Sequence, residues 1–108
     1  MPRVSLLNSP ICPNPGTFTF SDPISPREAR EFIEGATLES FIGHEGTAQA
    51  LGTLLGQPVP VTRERCRLAS GESAIVLVLA RRLEEGRVLT EAELAAVGYT
   101  LHVLRRVA

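Results

Sequence analysis

The sequence predicts an α+β fold: one mixed, mainly antiparallel β-sheet with short helices packed on it. Three observations lead there. Strand-like and helix-like stretches follow one another in mixed order along the chain. Two helix starts carry a capping box, at Ser25-Pro26-Arg27-Glu28 and at Thr90-Glu91-Ala92-Glu93. One stretch, Ala74 to Ala80, is apolar without interruption, as a strand buried on both faces must be. With 108 residues and 44% hydrophobic content the chain can build one modest core, so a single domain over residues 1–108 is expected.

Val4 to Leu7 reads as a first, buried strand ended by Asn8-Ser9-Pro10. The loop Ser9 to Gly16 carries three prolines, none of which suits a central strand. Thr17-Phe18-Thr19-Phe20 alternates and reads as a second strand. Pro26 fits a first helical position, and the helix should run to about Glu34 and stop at Gly35, with Ala29, Phe32 and Ile33 on its buried face. Leu38 to Ile42 reads as a short strand. A helix from Thr47 to Leu55 follows, with Ala48, Leu51, Leu54 and Leu55 at helical spacing and Gly56 as its stop. Val61 to Leu68 alternates and puts Arg63, Arg65 and Arg67 on one face, a stripe best read as a solvated outer face. This stretch should pair with Ser73 to Arg81 as an antiparallel hairpin around Ser70-Gly71-Glu72. The second capping box starts a helix to about Val97, and Tyr99 to Val107 closes the chain as a strand.

Composition excludes several function classes. The formal net charge is −1, whereas a protein that grips long nucleic acid is usually strongly basic. A small anion in a local basic pocket remains allowed. All 11 basic residues are arginine, so a lysine Schiff base or a lysine phosphate loop is ruled out. Cys12 and Cys66 stand far apart without metal-ligand spacing, and free buried thiols are the expected reading. No cofactor is expected. The N-terminus MPRVSLLNSP lacks a secretory cleavage pattern, and the apolar run is too short to span a membrane, so a cytoplasmic location is expected.

The chemistry concentrates in two stretches. Ile42-Gly43-His44-Glu45-Gly46-Thr47-Ala48 stands where a strand-like run gives way to a helix, so His44 falls at a helix N-terminus, which favours an anion. The helix dipole disfavours a charged imidazole there and a bound phosphate favours it. Together they can poise it as a general acid near neutrality. Arg82-Leu83-Glu84-Glu85-Gly86 follows the apolar run; Arg82 can take phosphate charge, and Glu85 can orient the histidine or a ribose hydroxyl. Arg81 and Glu84 can exchange roles with their neighbours. Asn8 and Ser9 follow a buried strand at its carboxyl end, a usual place for ligand contacts. His102 lies on the terminal strand and reads as structural.

Asp22 is the only aspartate, and no carboxylate cluster points to magnesium. A phosphodiester cleaved here is then cleaved by RNA chemistry. The ribose 2′-hydroxyl attacks its own 3′-phosphate, an acid protonates the leaving 5′-oxygen, and a cation steadies the transition state.

Three stretches together resemble the viral ring nucleases that act as type III anti-CRISPR proteins, and their cellular relatives. They are Leu6-Leu7-Asn8-Ser9, Ile42-Gly43-His44-Glu45-Gly46-Thr47-Ala48 and Arg82-Leu83-Glu84-Glu85-Gly86-Arg87-Val88-Leu89-Thr90, with Arg82 38 positions after His44. The resemblance implies a metal-independent enzyme that cuts cyclic tetra-adenylate, the second messenger of type III CRISPR systems. The product is linear di-adenylate with a 2′,3′-cyclic phosphate. It implies a two-fold symmetric homodimer, His44 as general acid, and Arg82 and Glu85 in supporting roles. Asn8, Ser9, Gly43, Glu45, Thr47 and Arg81 would line the ligand. Gly46 stands where many relatives carry a small or hydroxyl residue. The alternatives are a non-catalytic protein that sequesters or senses a cyclic oligoadenylate, and a small interaction protein of a virus or mobile element.

Overall fold

The computed structural model describes residues 3–8, 14–80 and 89–108. Along the chain run β1 (Arg3–Leu7), β2 (Phe18–Phe20), α1 (Pro26–Ile33), β3 (Thr37–Ser40), α2 (Glu45–Leu55), β4 (Ser73–Leu79), α3 (Glu91–Val97) and β5 (Tyr99–Arg106). Among the described residues the strands form one five-stranded sheet in the order β2-β5-β4-β1-β3. The fold is α+β with a mixed sheet, as expected.

The balance of directions differs from expectation. β1 pairs in parallel with both β3 and β4, whereas β5 pairs antiparallel with β4 and β2. Half of the pairings are therefore parallel. The expected hairpin between 61–68 and 73–81 is absent, because β1 and β5 occupy the two edges of β4. Residues 61–68 form no strand. They cross one face of the sheet, burying Cys66 and Leu68 and leaving Arg63, Arg65 and Arg67 exposed.

β4 explains the centre of the sheet. Its sequence SAIVLVL buries alternate side chains on opposite faces. Ile75 and Leu77 join Val4, Leu6 and Leu101 beneath the helices. Ala74 and Val76 join Leu7, Leu68 and Leu104 on the other side. Each fully buried leucine or isoleucine contributes about 1.5–3 kcal/mol relative to an exposed one.

Both capping boxes form. Ser25 accepts from the Glu28 amide at 3.0 Å while Glu28 accepts from the Ser25 amide at 3.0 Å. Thr90 and Glu93 repeat the exchange at 3.2 and 3.1 Å. Phe32 is more exposed than its helical spacing implies; Ala29 and Ile33 carry the buried face of α1. α2 ends at Gly56 in the left-handed region (φ 73°), which suits glycine. Its start lies two residues earlier than expected, because the cap is a histidine rather than a residue type that announces a cap. Among the described residues no helix is long and apolar enough to cross a membrane.

Candidate functional site

Three neighbouring strands, β3, β1 and β4, run in the same direction, so their carboxyl ends share one edge of the sheet. Open sheets with parallel strands bind ligands outside that edge. Asn8 directly follows β1 and is half-buried, and its side chain makes no hydrogen bond among the described residues. β3 is followed by Phe41 to Gly43, and His44 is the N-cap of α2. β4 is followed by Ala80 and then, in sequence, by the stretch 81–88.

His44 is exposed, with extended backbone (φ −118°, ψ 127°) and no capping hydrogen bond from its side chain. α2 therefore lacks the acceptor that Ser25 and Thr90 supply to α1 and α3. The unpaired amides of its first turn are left for another acceptor. Gly46 in that turn is buried, and the Thr47 hydroxyl makes no hydrogen bond among the described residues. The Glu45 carboxylate takes a long contact of 3.4 Å from the Gln49 amide one turn on.

The turn is held from outside the sheet. The Thr62 amide donates to the Ile42 carbonyl at 2.9 Å. A Cβ on Gly43 would stand 3.5 Å from Cγ of Arg63. Arg63 is thus laid against the Gly43-His44 turn, exposed, with no side-chain partner among the described residues. Reading the alternation of 61–68 as a solvated stripe misses this cation. Only the long-range contact singles Arg63 out from Arg65 and Arg67.

Ser9, Arg81, Arg82 and Glu85 lie outside the described residues. Their flanks do not. The Ala80 amide donates to the Gly98 carbonyl at 2.9 Å. The Thr53 hydroxyl stands between the Gln49 carbonyl of its own helix at 3.1 Å and the Leu89 carbonyl at 3.2 Å, which brings Leu89 against α2, the helix that His44 caps. Thr53 stands eight residues beyond Glu45, about 12 Å along the axis at 1.5 Å per residue.

His102 and Cys66 have structural settings. His102 is buried, with Nδ1 at 2.9 Å from the Ser21 carbonyl oxygen and Nε2 at 2.8 Å from Thr100 Oγ1. It stacks on Phe20 with ring centroids 4.4 Å apart. Burial pushes the Cys66 thiol above its ordinary value, against the smaller opposing influences of Ser5 and Arg3. Such a thiol is a poor nucleophile. Cys12 lies outside the described residues. Among the described residues no group of three His, Cys, Asp or Glu side chains stands ready to hold a metal ion.

Comparison with known proteins shows the family and the fold. A protein of Acidianus two-tailed virus, called uncharacterized protein ORF117, is 42% identical over 87 residues, covering 78% of this chain and 74% of that one. Uncharacterized protein YddF of Bacillus subtilis is 31% identical over 106 residues, covering 96% of this chain and 97% of its own length. The solved structure of B116 from Sulfolobus turreted icosahedral virus shares the fold, with a TM-score of 0.77 at 23% identity over 98% of this chain and all of that one. The profile of one family matches residues 4–101, from β1 to the start of β5, and the chain belongs to that family, the STIV B116-like proteins.

Proposed function

We propose that the protein is a metal-independent ring nuclease that cleaves cyclic tetra-adenylate and so switches off the effectors of type III CRISPR immunity. One observation carries the reading. The Asn8, His44 and Arg82–Glu85 stretches each follow, in sequence, one of three neighbouring parallel strands, and Asn8 and the His44 turn stand at their common carboxyl edge. There His44 caps a helix whose first amides lack a side-chain acceptor.

The reaction follows from these groups. At each cut the ribose 2′-oxygen bonds to the adjacent phosphorus while the bond to the 5′-oxygen breaks. The 2′-hydroxyl proton leaves to solvent, and the His44 imidazolium gives its proton to the departing 5′-oxygen. The products carry a 2′,3′-cyclic phosphate and a 5′-hydroxyl. The amides of α2, with Arg63 and Arg82, meet the charge that develops on the phosphate oxygens. Glu85 orients the 2′-hydroxyl. Asn8, Ser9, Gly43, Glu45, Thr47 and Arg81 line the ring. A symmetric homodimer offers two such sets to a two-fold ring, and two opposite cuts release two linear di-adenylates.

The test is incubation of the protein with cyclic tetra-adenylate in EDTA, with products separated by chromatography. Linear di-adenylate ending in a cyclic phosphate is the expected product. An intact ring that stays tightly bound would instead make the protein a sequestering or sensing one.

A further inference from the structure

Ile42 is fully buried at the point where the chain leaves β3 for the His44 turn, so both of its backbone polar groups need partners. The carbonyl has a direct one, the Thr62 amide at 2.9 Å. The amide does not reach the neighbouring segment directly. It donates to Ser40 Oγ at 3.3 Å, and Ser40 Oγ donates in turn to the Pro60 carbonyl at 2.6 Å. A buried side-chain hydroxyl thus replaces one rung of a ladder between residues 40–42 and residues 60–62.

The reason is visible in the strap that covers this part of the molecule. Pro58 and Pro60 remove two amide donors from it, so it cannot add to the sheet as an ordinary strand. Upstream, the strap is pressed onto α2 at Gly52, where a Cβ would stand only 3.0 Å from the Gln57 carbonyl oxygen. Downstream, one residue past the Thr62 bond, it delivers Arg63 to the Gly43-His44 turn.

We propose that Ser40 is a positioning residue of the candidate site. Its hydroxyl clasps the proline-containing strap to the end of β3 and so sets where the Arg63 guanidinium stands relative to the His44 turn. The inference rests on the proposed function for what Arg63 touches, but the clasp itself stands on the geometry alone.

Two measurements test it separately. The first is hydrogen exchange at the Thr62 amide, with no ligand present. Ser40→Ala should lower its protection about tenfold, the scale of one lost net hydrogen bond, while Ser40→Thr keeps it. Unchanged protection in Ser40→Ala would overturn the clasp. If Ser40→Ala does not fold, Ser40→Cys, with a weak donor of similar size, replaces it under the same criterion.

The second is a double-mutant cycle on the binding of cyclic tetra-adenylate, measured in EDTA in a His44→Ala background. Ser40→Ala should weaken binding about threefold to tenfold when Arg63 is present, and less than about twofold beside Arg63→Gln. Equal losses in both backgrounds would reduce Ser40 to a purely structural residue. Absence of binding in the parent protein would count against the proposed function, and the Thr62 exchange would still decide the clasp.

Discussion

The antiparallel half of the sheet and the carboxyl edge of its parallel half treat their polar groups in opposite ways. In the antiparallel half, β4-β5-β2, they are paired within the protein. His102 meets Ser21 and Thr100, the Arg106 guanidinium donates to the Leu68 and Ala108 carbonyls, Arg105 reaches Ser73, and the Ser21 hydroxyl accepts from the Val103 amide. In the parallel half, β4-β1-β3, the carboxyl edge carries Asn8, His44, Thr47 and Arg63, whose side chains have no partner among the described residues. Both regions hold a histidine and arginines. The difference lies in unspent hydrogen-bonding capacity, and it marks the parallel edge as the place for a ligand.

The widest separation between the halves should come from their histidines. His44→Ala should lower ring cleavage by about 100-fold to 10,000-fold, the range for a lost general acid, and leave the melting temperature nearly unchanged. His102→Ala should do the reverse. It leaves buried partners unpaired and should cost about 1–3 kcal/mol of stability in denaturant unfolding, with cleavage per folded molecule retained. Comparable activity losses in both variants would erase the contrast.

The arginines should follow the same division with smaller effects. Arg63→Gln should weaken ring binding about tenfold or more, since a hydrogen bond to a charged group is worth about 1.5–3 kcal/mol. Arg106→Gln should leave binding unchanged in the same calorimetric titration.

α2 also differs from the other helices in lacking a side-chain cap, and that difference can be inverted. His44→Asp should install an acceptor for the first-turn amides and raise stability by about 0.5–1 kcal/mol in thermal unfolding while abolishing cleavage. A less stable protein would mean that those amides already have an acceptor.

The smallest effect is expected on the face covered by the strap. Burial raises the Cys66 thiol above the ordinary thiol range, so the unfolded chain loses its proton first as pH rises. The native state then binds more protons, and stability should fall as pH climbs past about 9. Cys66→Ala should flatten that alkaline decline, although Tyr99, also raised by burial, keeps some of it in place.

Capping boxes and the apolar run were sufficient to place the elements they mark. The boxes at Ser25 and Thr90 place two helix starts to the residue, and the unbroken apolar run locates the central strand. The pairing of 61–68 was not legible, because period-two alternation reports burial of one side, not a neighbouring strand. Cys66 and Leu68 are buried as that alternation requires, yet the segment joins no ladder. Which strands would fill the edges of β4 depends on contacts between β1 and β4 some 70 positions apart, and no local pattern carries them. The same holds within the candidate site. Gly43-His44 was legible as a junction between strand and helix, whereas Arg63 became distinguishable only through its contact with Gly43.

The most direct test of the central claim locates the ligand rather than following the reaction. The His44→Ala protein, labelled with nitrogen-15 and kept in EDTA, would be titrated with cyclic tetra-adenylate while its backbone amides are followed by NMR. Binding at the parallel edge predicts the largest shifts at Asn8, Gly43, Glu45, Gly46, Thr47 and Arg63, with the amides of β2 and β5 little changed. The largest shifts on β2 and β5, or none anywhere at saturating ring, would contradict the assignment of this edge as the functional site.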